Sequence, residues 1–315
     1  MVKTQPFTIC YSAQPNGYLE EHAEAVAELY DGFFFVVGSW DDDLARLLGV
    51  DGEAARDGAW IEATRCSVSA LRAAGAAENF LTVHFSRDGK WPSPETLLSE
   101  SFTGKMRQHF MSLGRTARDL GFRGVCIDVE YPYPRYEVDN EIYAYRGYTV
   151  SDLLSAARRQ GRVSAAAILD VFPEAAIIVL PGTLRTRPIE RMYLLGLLNE
   201  MAGRDAPGGL HLGSEFTYSL LDPVTNLAAC RFEDAGIATI ASQHVVEYWR
   251  RRCTIAPGVW PLHMVETGGV GYPIRPWGES RSSVSRWLSC ARSRNGIYGS
   301  TAARRCGTYI RLSWS

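Results

Sequence analysis

The stretch Phe122-Arg123-Gly124-Val125-Cys126-Ile127-Asp128-Val129-Glu130-Tyr131-Pro132 carries an apolar run straight into two carboxylates spaced i, i+2, and then breaks at Tyr-Pro. Side chains along a strand alternate with period two, so Asp128 and Glu130 share one face. Unpaired charge at the end of a buried strand is strongly disfavoured. A same-facing acid pair there points to acid/base chemistry, a metal or a cationic partner.

Outward from this stretch the chain alternates short β-rich runs with longer helical segments. Before it come Phe7 to Ser12, Gly32 to Trp40 and Asn79 to Ser86. They are separated by the amphipathic EEHAEAVAELYD, by Ala-, Leu- and Arg-rich material and by KMRQHFMSLGRTARDLG. After it come Ala175 to Gly182, Gly209 to Tyr218, Gly258 to Glu266 and the short Asn295 to Ser300, with helical SDLLSAARRQGRVSAAAILDVF, IERMYLLGLLNEMAG, QHVVEYWRRR and SSVSRWLSCARSR around them. GIATIA, residues 236–241, fits a strand as well as a helix start.

Strands alternating with helices imply parallel βαβ units, and eight of them fit one (β/α)8 barrel, typically about 250 residues before insertions. An open doubly wound sheet is the main competitor, but no GxGxxG follows the first strand and no GxxxxGK[ST] occurs. The expected fold is therefore α/β, a single TIM-type barrel over residues 1–315. A Tyr-rich rim insertion is expected at about 131–150.

Composition narrows the partners. The 315 residues are 46% hydrophobic and 22% charged, with net charge −2, which gives no reason to expect nucleic acid or an anionic membrane. No apolar run approaches the roughly 18–20 residues that span a bilayer. The N-terminus lacks the apolar core of a signal peptide, so a cytoplasmic location is expected. Seven scattered cysteines (Cys10, Cys66, Cys126, Cys230, Cys253, Cys290, Cys306) form no CxxC pair. They read as small hydrophobes in a reducing compartment, not as a zinc or disulfide framework. No cofactor and no resident metal are expected.

Barrel active sites form where the strands end at their C-termini. The residues there are Tyr11 with Gln14, Trp40 with Asp41, His84, Asp128 with Glu130, Glu215 with Tyr218, His263 with Glu266, and Tyr298. Glu130, Asp128, Glu215 and Glu266 are the candidate catalytic set. Tyr11, Trp40, His84, Tyr131, Tyr133, Tyr218, His263 and Tyr298 are candidate substrate contacts, because an aromatic ring with a polar tip suits a sugar face. His211 has the parity of Glu215 but sits deeper and reads as structural.

FRGVCIDVEYP resembles the fourth-strand signature of family-18 glycoside hydrolases, roughly F-D-G-[IVL]-D-[IVL]-D-W-E-Y-P. Phe122, Gly124, Asp128, Glu130, Tyr131 and Pro132 match, whereas Arg123, Cys126 and Val129 stand at two acid positions and the Trp. The resemblance implies Glu130 as general acid and Asp128 as the residue that orients it or the reacting group. A weaker likeness, to retaining barrel glycosidases with acids ending strands four and seven, would pair Glu130 with Glu266. Strand six carries Gly-Ser-Glu-Phe-Thr-Tyr in place of Met-x-Tyr-Asp, and strand three ends in His-Phe-Ser. The expected function is thus glycoside hydrolysis of an oligo- or polysaccharide by a divergent barrel enzyme. Two alternatives stand beside it. One is a metal-dependent sugar isomerase or epimerase using Glu130, Glu215, His263 and Glu266, and the other is a catalytically silent carbohydrate-binding barrel.

Overall fold

The computed structural model describes residues 7–13, 15–36, 58–84, 94–129, 149–182, 188–214, 217, 223–259 and 308–311. Seven strands run parallel in sequence order: β1 (Phe7–Ala13), β2 (Gly32–Val36), β3 (Phe80–His84), β4 (Gly124–Asp128), β5 (Ala176–Leu180), β6 (Leu210–Ser214) and β7 (Thr254–Val259). Helices lie between them: α1 (Gly17–Glu21), α2 (Ala23–Ala27), α3 (Gly58–Ala73), α4 (Pro94–Leu98), α5 (Glu100–Asp119), α6 (Val150–Val171), α7 (Pro188–Gly203), α8 (Pro223–Ile240) and α9 (Gln243–Arg252). The parallel sheet curls as in part of a TIM barrel, with helices flanking it. A short β8 (Thr308–Arg311) runs antiparallel to both β7 and β1. The expected eighth parallel strand, Asn295 to Ser300, lies outside the described residues, as does nearly all of the expected rim insertion.

Alternation along the strands separates two apolar cores. Ile9, Phe34, Phe80, Cys126, Ala176, Ile178 and Leu180 form the cluster inside the curl, where the Phe34 and Phe80 rings meet at 5.8 Å. Their neighbours Phe33, Phe35, Leu81, Val83, Val125, Ile127, Ile177 and Val179 join the larger cluster between sheet and helices. Strands β2, β4, β5 and β6 are buried at every position, on both faces, which is why such sequences read as near-continuous apolar runs.

Several elements depart from expectation in instructive ways. EEHAEAVAELYD forms two short helices, with His22 as the C-cap of one and the N-cap of the next. GIATIA is the end of α8 and its following residue, not a strand; its β-branched residues are overridden by packing, since Ile237 is buried in the outer core. The seventh strand begins at Thr254, four residues before the expected Gly258, because Pro257 within it disguises the pattern. Gly209 opens β6 at φ 76°, a left-handed backbone that glycine adopts without penalty.

On the outer wall α5, α6 and α7 are tied by an ionic network. Arg204 meets Asp170 at 2.7 Å and Glu200 at 2.9 Å, while Arg107 meets Asp170 at 2.6 Å. The Arg204 hydrogen bond, seconded by Arg107, holds the Asp170 carboxyl below the usual range. A carboxyl lowered in the folded state contributes stability above its unfolded pKa, near 3.9, and loses it as pH falls through the folded value. Because the guanidinium groups are well exposed, solvent screening limits the effect. Asp170→Asn is expected to cost about 0.5–1 kcal/mol at pH 7. In urea unfolding the difference from wild type should shrink as the pH is lowered through about 4. A difference that grows in acid would contradict the assignment.

Candidate functional site

Parallel strands bring all their C-terminal ends to one mouth, and β4 delivers Asp128 there. Val125, Ile127 and Val129 pack toward the helices, so Asp128 falls on the same interior face as Cys126. Its side chain is buried, at 1% exposure, and it is not without a partner. The register sets it level with His84 on β3 and Leu180 on β5. The backbone closes beside it through the Val129 N–H, which donates to the Leu180 carbonyl.

One step deeper, Thr82 is level with Cys126. Thr82 is fully buried and shares the interior parity of Phe80. Its Oγ1 has no hydrogen-bond partner among the described residues. Sequence inspection passes over it, since a threonine in a strand is unremarked; only its parity with Phe80 and its position beneath His84 could have singled it out.

The ends of β5 and β6 are pinned to each other. The Ser214 hydroxyl donates to the Gly182 carbonyl at 3.2 Å, and the Gly182 N–H donates to the Gly213 carbonyl at 2.6 Å. Thr217 Oγ1 donates to the Ser214 carbonyl at 2.6 Å. Buried Ser214 is thus tied both to Gly182 and to buried Thr217. His211 lies deeper on β6, where Nε2 donates to the Gly208 carbonyl and Nδ1 pairs with Thr254 Oγ1, each at 2.9 Å. Both ring nitrogens are committed to holding strand starts together, the structural role expected of this residue.

Of the other sequence candidates, Tyr11 lies in β1 and His84 ends β3. Glu130, Glu215, Glu266, Trp40, Tyr131, Tyr133, Tyr218, His263 and Tyr298 lie outside the described residues. Among the described residues no group of three or more His, Cys, Asp or Glu side chains is arranged to hold a metal ion. No described helix is long and apolar enough to cross a membrane. Cys10, Cys126, Cys230 and Cys253 are buried thiols, as small hydrophobes should be, while Cys66 is an exposed thiol; none of the five is in a disulfide. Comparison with known proteins finds no family model and no curated protein that matches the chain.

Proposed function

We propose that this chain is a glycoside hydrolase built on a full (β/α)8 barrel, cleaving an oligo- or polysaccharide at the mouth where its strands end. The observation that carries this is Asp128, a carboxylate buried at the last position of β4 on the interior face. Burial of a charge at that position is hard to explain by packing alone, and in the sequence Glu130 follows Asp128 at the two-residue spacing of a strand face.

In this reading Glu130 is the general acid that protonates the leaving oxygen. Asp128, beneath it, raises the proton affinity of Glu130 through like charge and orients it. Glu215 or Glu266 supplies the second carboxylate across the sugar ring, acting as nucleophile if the carboxyl groups are about 5–5.5 Å apart and as base for water at roughly 6.5–9.5 Å. Tyr11, Trp40, His84, Tyr131, Tyr133, Tyr218, His263 and Tyr298 form the walls that hold sugar faces and hydroxyls. The match of Phe122, Gly124, Asp128, Glu130, Tyr131 and Pro132 to the family-18 signature supports the same roles.

The test is a panel of aryl glycosides and oligosaccharides offered to the purified chain before and after EDTA treatment, with metal content measured in parallel. Hydrolysis that survives chelation is expected. Stoichiometric bound metal, with sugar isomerisation lost on chelation, would replace this reading by the metal-dependent one. Sugar binding with no turnover would leave a carbohydrate-binding barrel.

A further inference from the structure

We infer that Thr82 is a positioning residue whose hydroxyl, through one internal water, holds the buried carboxylate of Asp128 in the barrel interior. Thr82 and Asp128 sit on adjacent parallel strands, Thr82 level with Cys126 and Asp128 level with His84, so the two are offset by two residues. With strands about 4.8 Å apart and a rise of about 3.3 Å per residue, their Cα atoms are roughly 8 Å apart. The Thr82 hydroxyl makes no direct hydrogen bond across that span, and the span suits a single bridging water.

Both side chains belong to the interior face, as Phe80 and Cys126 on the same strands do. Thr82 is 0% exposed and Asp128 1%. Thr82 Oγ1 has no partner among the described protein atoms, and a buried hydroxyl of this kind is ordinarily satisfied by an internal water that also meets other polar groups. Asp128 is the carboxylate one step above it. Cys126, a weak donor and acceptor, lies level with Thr82 where the family-18 signature has an acid, so the hydroxyl of Thr82 is the stronger polar group at that level.

Among the described residues, the titratable groups that the strand register places near Asp128 are His84 and Cys126. His84 stands level with it on β3, β5 offers only Leu180 at that height, Cys126 precedes it by two residues and Glu130 follows by two. His211 on β6 is occupied by Thr254 and Gly208. Only the catalytic consequence of the Thr82 link rests on the hydrolase reading; the link itself does not.

A double-mutant cycle on the full chain tests it, with unfolding equilibria measured for Thr82→Val, Asp128→Asn and the combined variant. At pH 7, Thr82→Val should lower the folded-to-unfolded ratio about tenfold more beside Asp128 than beside Asp128→Asn, since hydrogen bonds to a charged group are the stronger kind. The coupling should fade in acid as Asp128 is protonated, and Thr82→Ser should retain it. Equal effects of Thr82→Val in both backgrounds, including equal stabilisation, would overturn the inference. If Thr82→Val does not fold, Thr82→Ala against Thr82→Ser completes the same cycle. Where a glycoside is turned over, Thr82→Val should also lower kcat at unchanged KM and move the acidic limb of the pH profile upward, with Thr82→Ser restoring both. Absence of turnover by wild type would sink the hydrolase reading, while the stability cycle would still decide the role of Thr82.

Discussion

Glu130→Gln is expected to lower turnover of an unactivated glycoside by about 10²–10⁴-fold, the usual contribution of a positioned proton-transfer group. Gln keeps the shape and hydrogen-bonding length of Glu but has no proton to give, so the fold should survive and the melting temperature should barely move. The role of Glu130 as acid, as distinct from nucleophile, has its own signature. A general acid matters in proportion to the basicity of the leaving group. The loss should therefore be large for alkyl and sugar leaving groups and small for a dinitrophenolate, which departs without help. A uniform loss across leaving groups would reassign Glu130, and a fully active variant would remove it from the mechanism.

Gly161→Ala is expected to destabilise the chain even though alanine is the better helix former. Gly161 on α6 and Gly196 on α7 allow the two helices to cross backbone to backbone. A Cβ built on Gly161 would stand 2.0 Å from the Tyr193 carbonyl oxygen, and one on Gly196 would stand 2.1 Å from that of Arg158. Backbone cannot rotate away as a flexible side chain does, so the helices must part. Overpacking of this kind costs about 1–3 kcal/mol, against about 1 kcal/mol gained from helix propensity. With rigid backbone as the obstacle the cost falls toward the upper end, and a net loss of about 2 kcal/mol should lower Tm by roughly 3 °C in a chain of this size. Gly104→Ala, on the exposed side of α5 with nothing within 4 Å of the added methyl, provides the contrast and should raise Tm. Stabilisation by both substitutions would show that the α6–α7 crossing is not as close as described. The buried Gln160 next to Gly161 anchors the same helix, donating to the Leu97 carbonyl at 2.8 Å and to Thr103 Oγ1 at 3.1 Å.

Much of the fold was legible because strands buried on both faces write themselves as apolar runs: GFFFV, FLTVH, GVCID and AIIVL all begin within a residue or two of where expected. The errors fall where local chemistry contradicts tertiary context. Pro257 hid the start of β7, and β-branched Ile237, Thr239 and Ile240 gave α8 a strand-like ending. The antiparallel β8 was invisible because TYIR carries no signal of direction. At the candidate site, parity put Asp128 and Glu130 on one face, and the structure sets Asp128 on the inner face of β4 with Cys126. The same parity could have placed Thr82, but a hydroxyl acquires meaning only when its burial and lack of a protein partner are seen. The acids assigned beyond the strand ends, Glu130, Glu215 and Glu266, rest on sequence pattern and on the family-18 resemblance, and they are the natural targets for substitution.

The central claim is tested most directly by initial rates of sugar release from one panel of aryl glycosides and oligosaccharides, measured side by side for wild type and Glu130→Gln. The account predicts release from at least one substrate by wild type, reduced about 10²-fold or more in Glu130→Gln for leaving groups that need a proton. No release from any substrate by wild type, or equal release by both proteins, would contradict it.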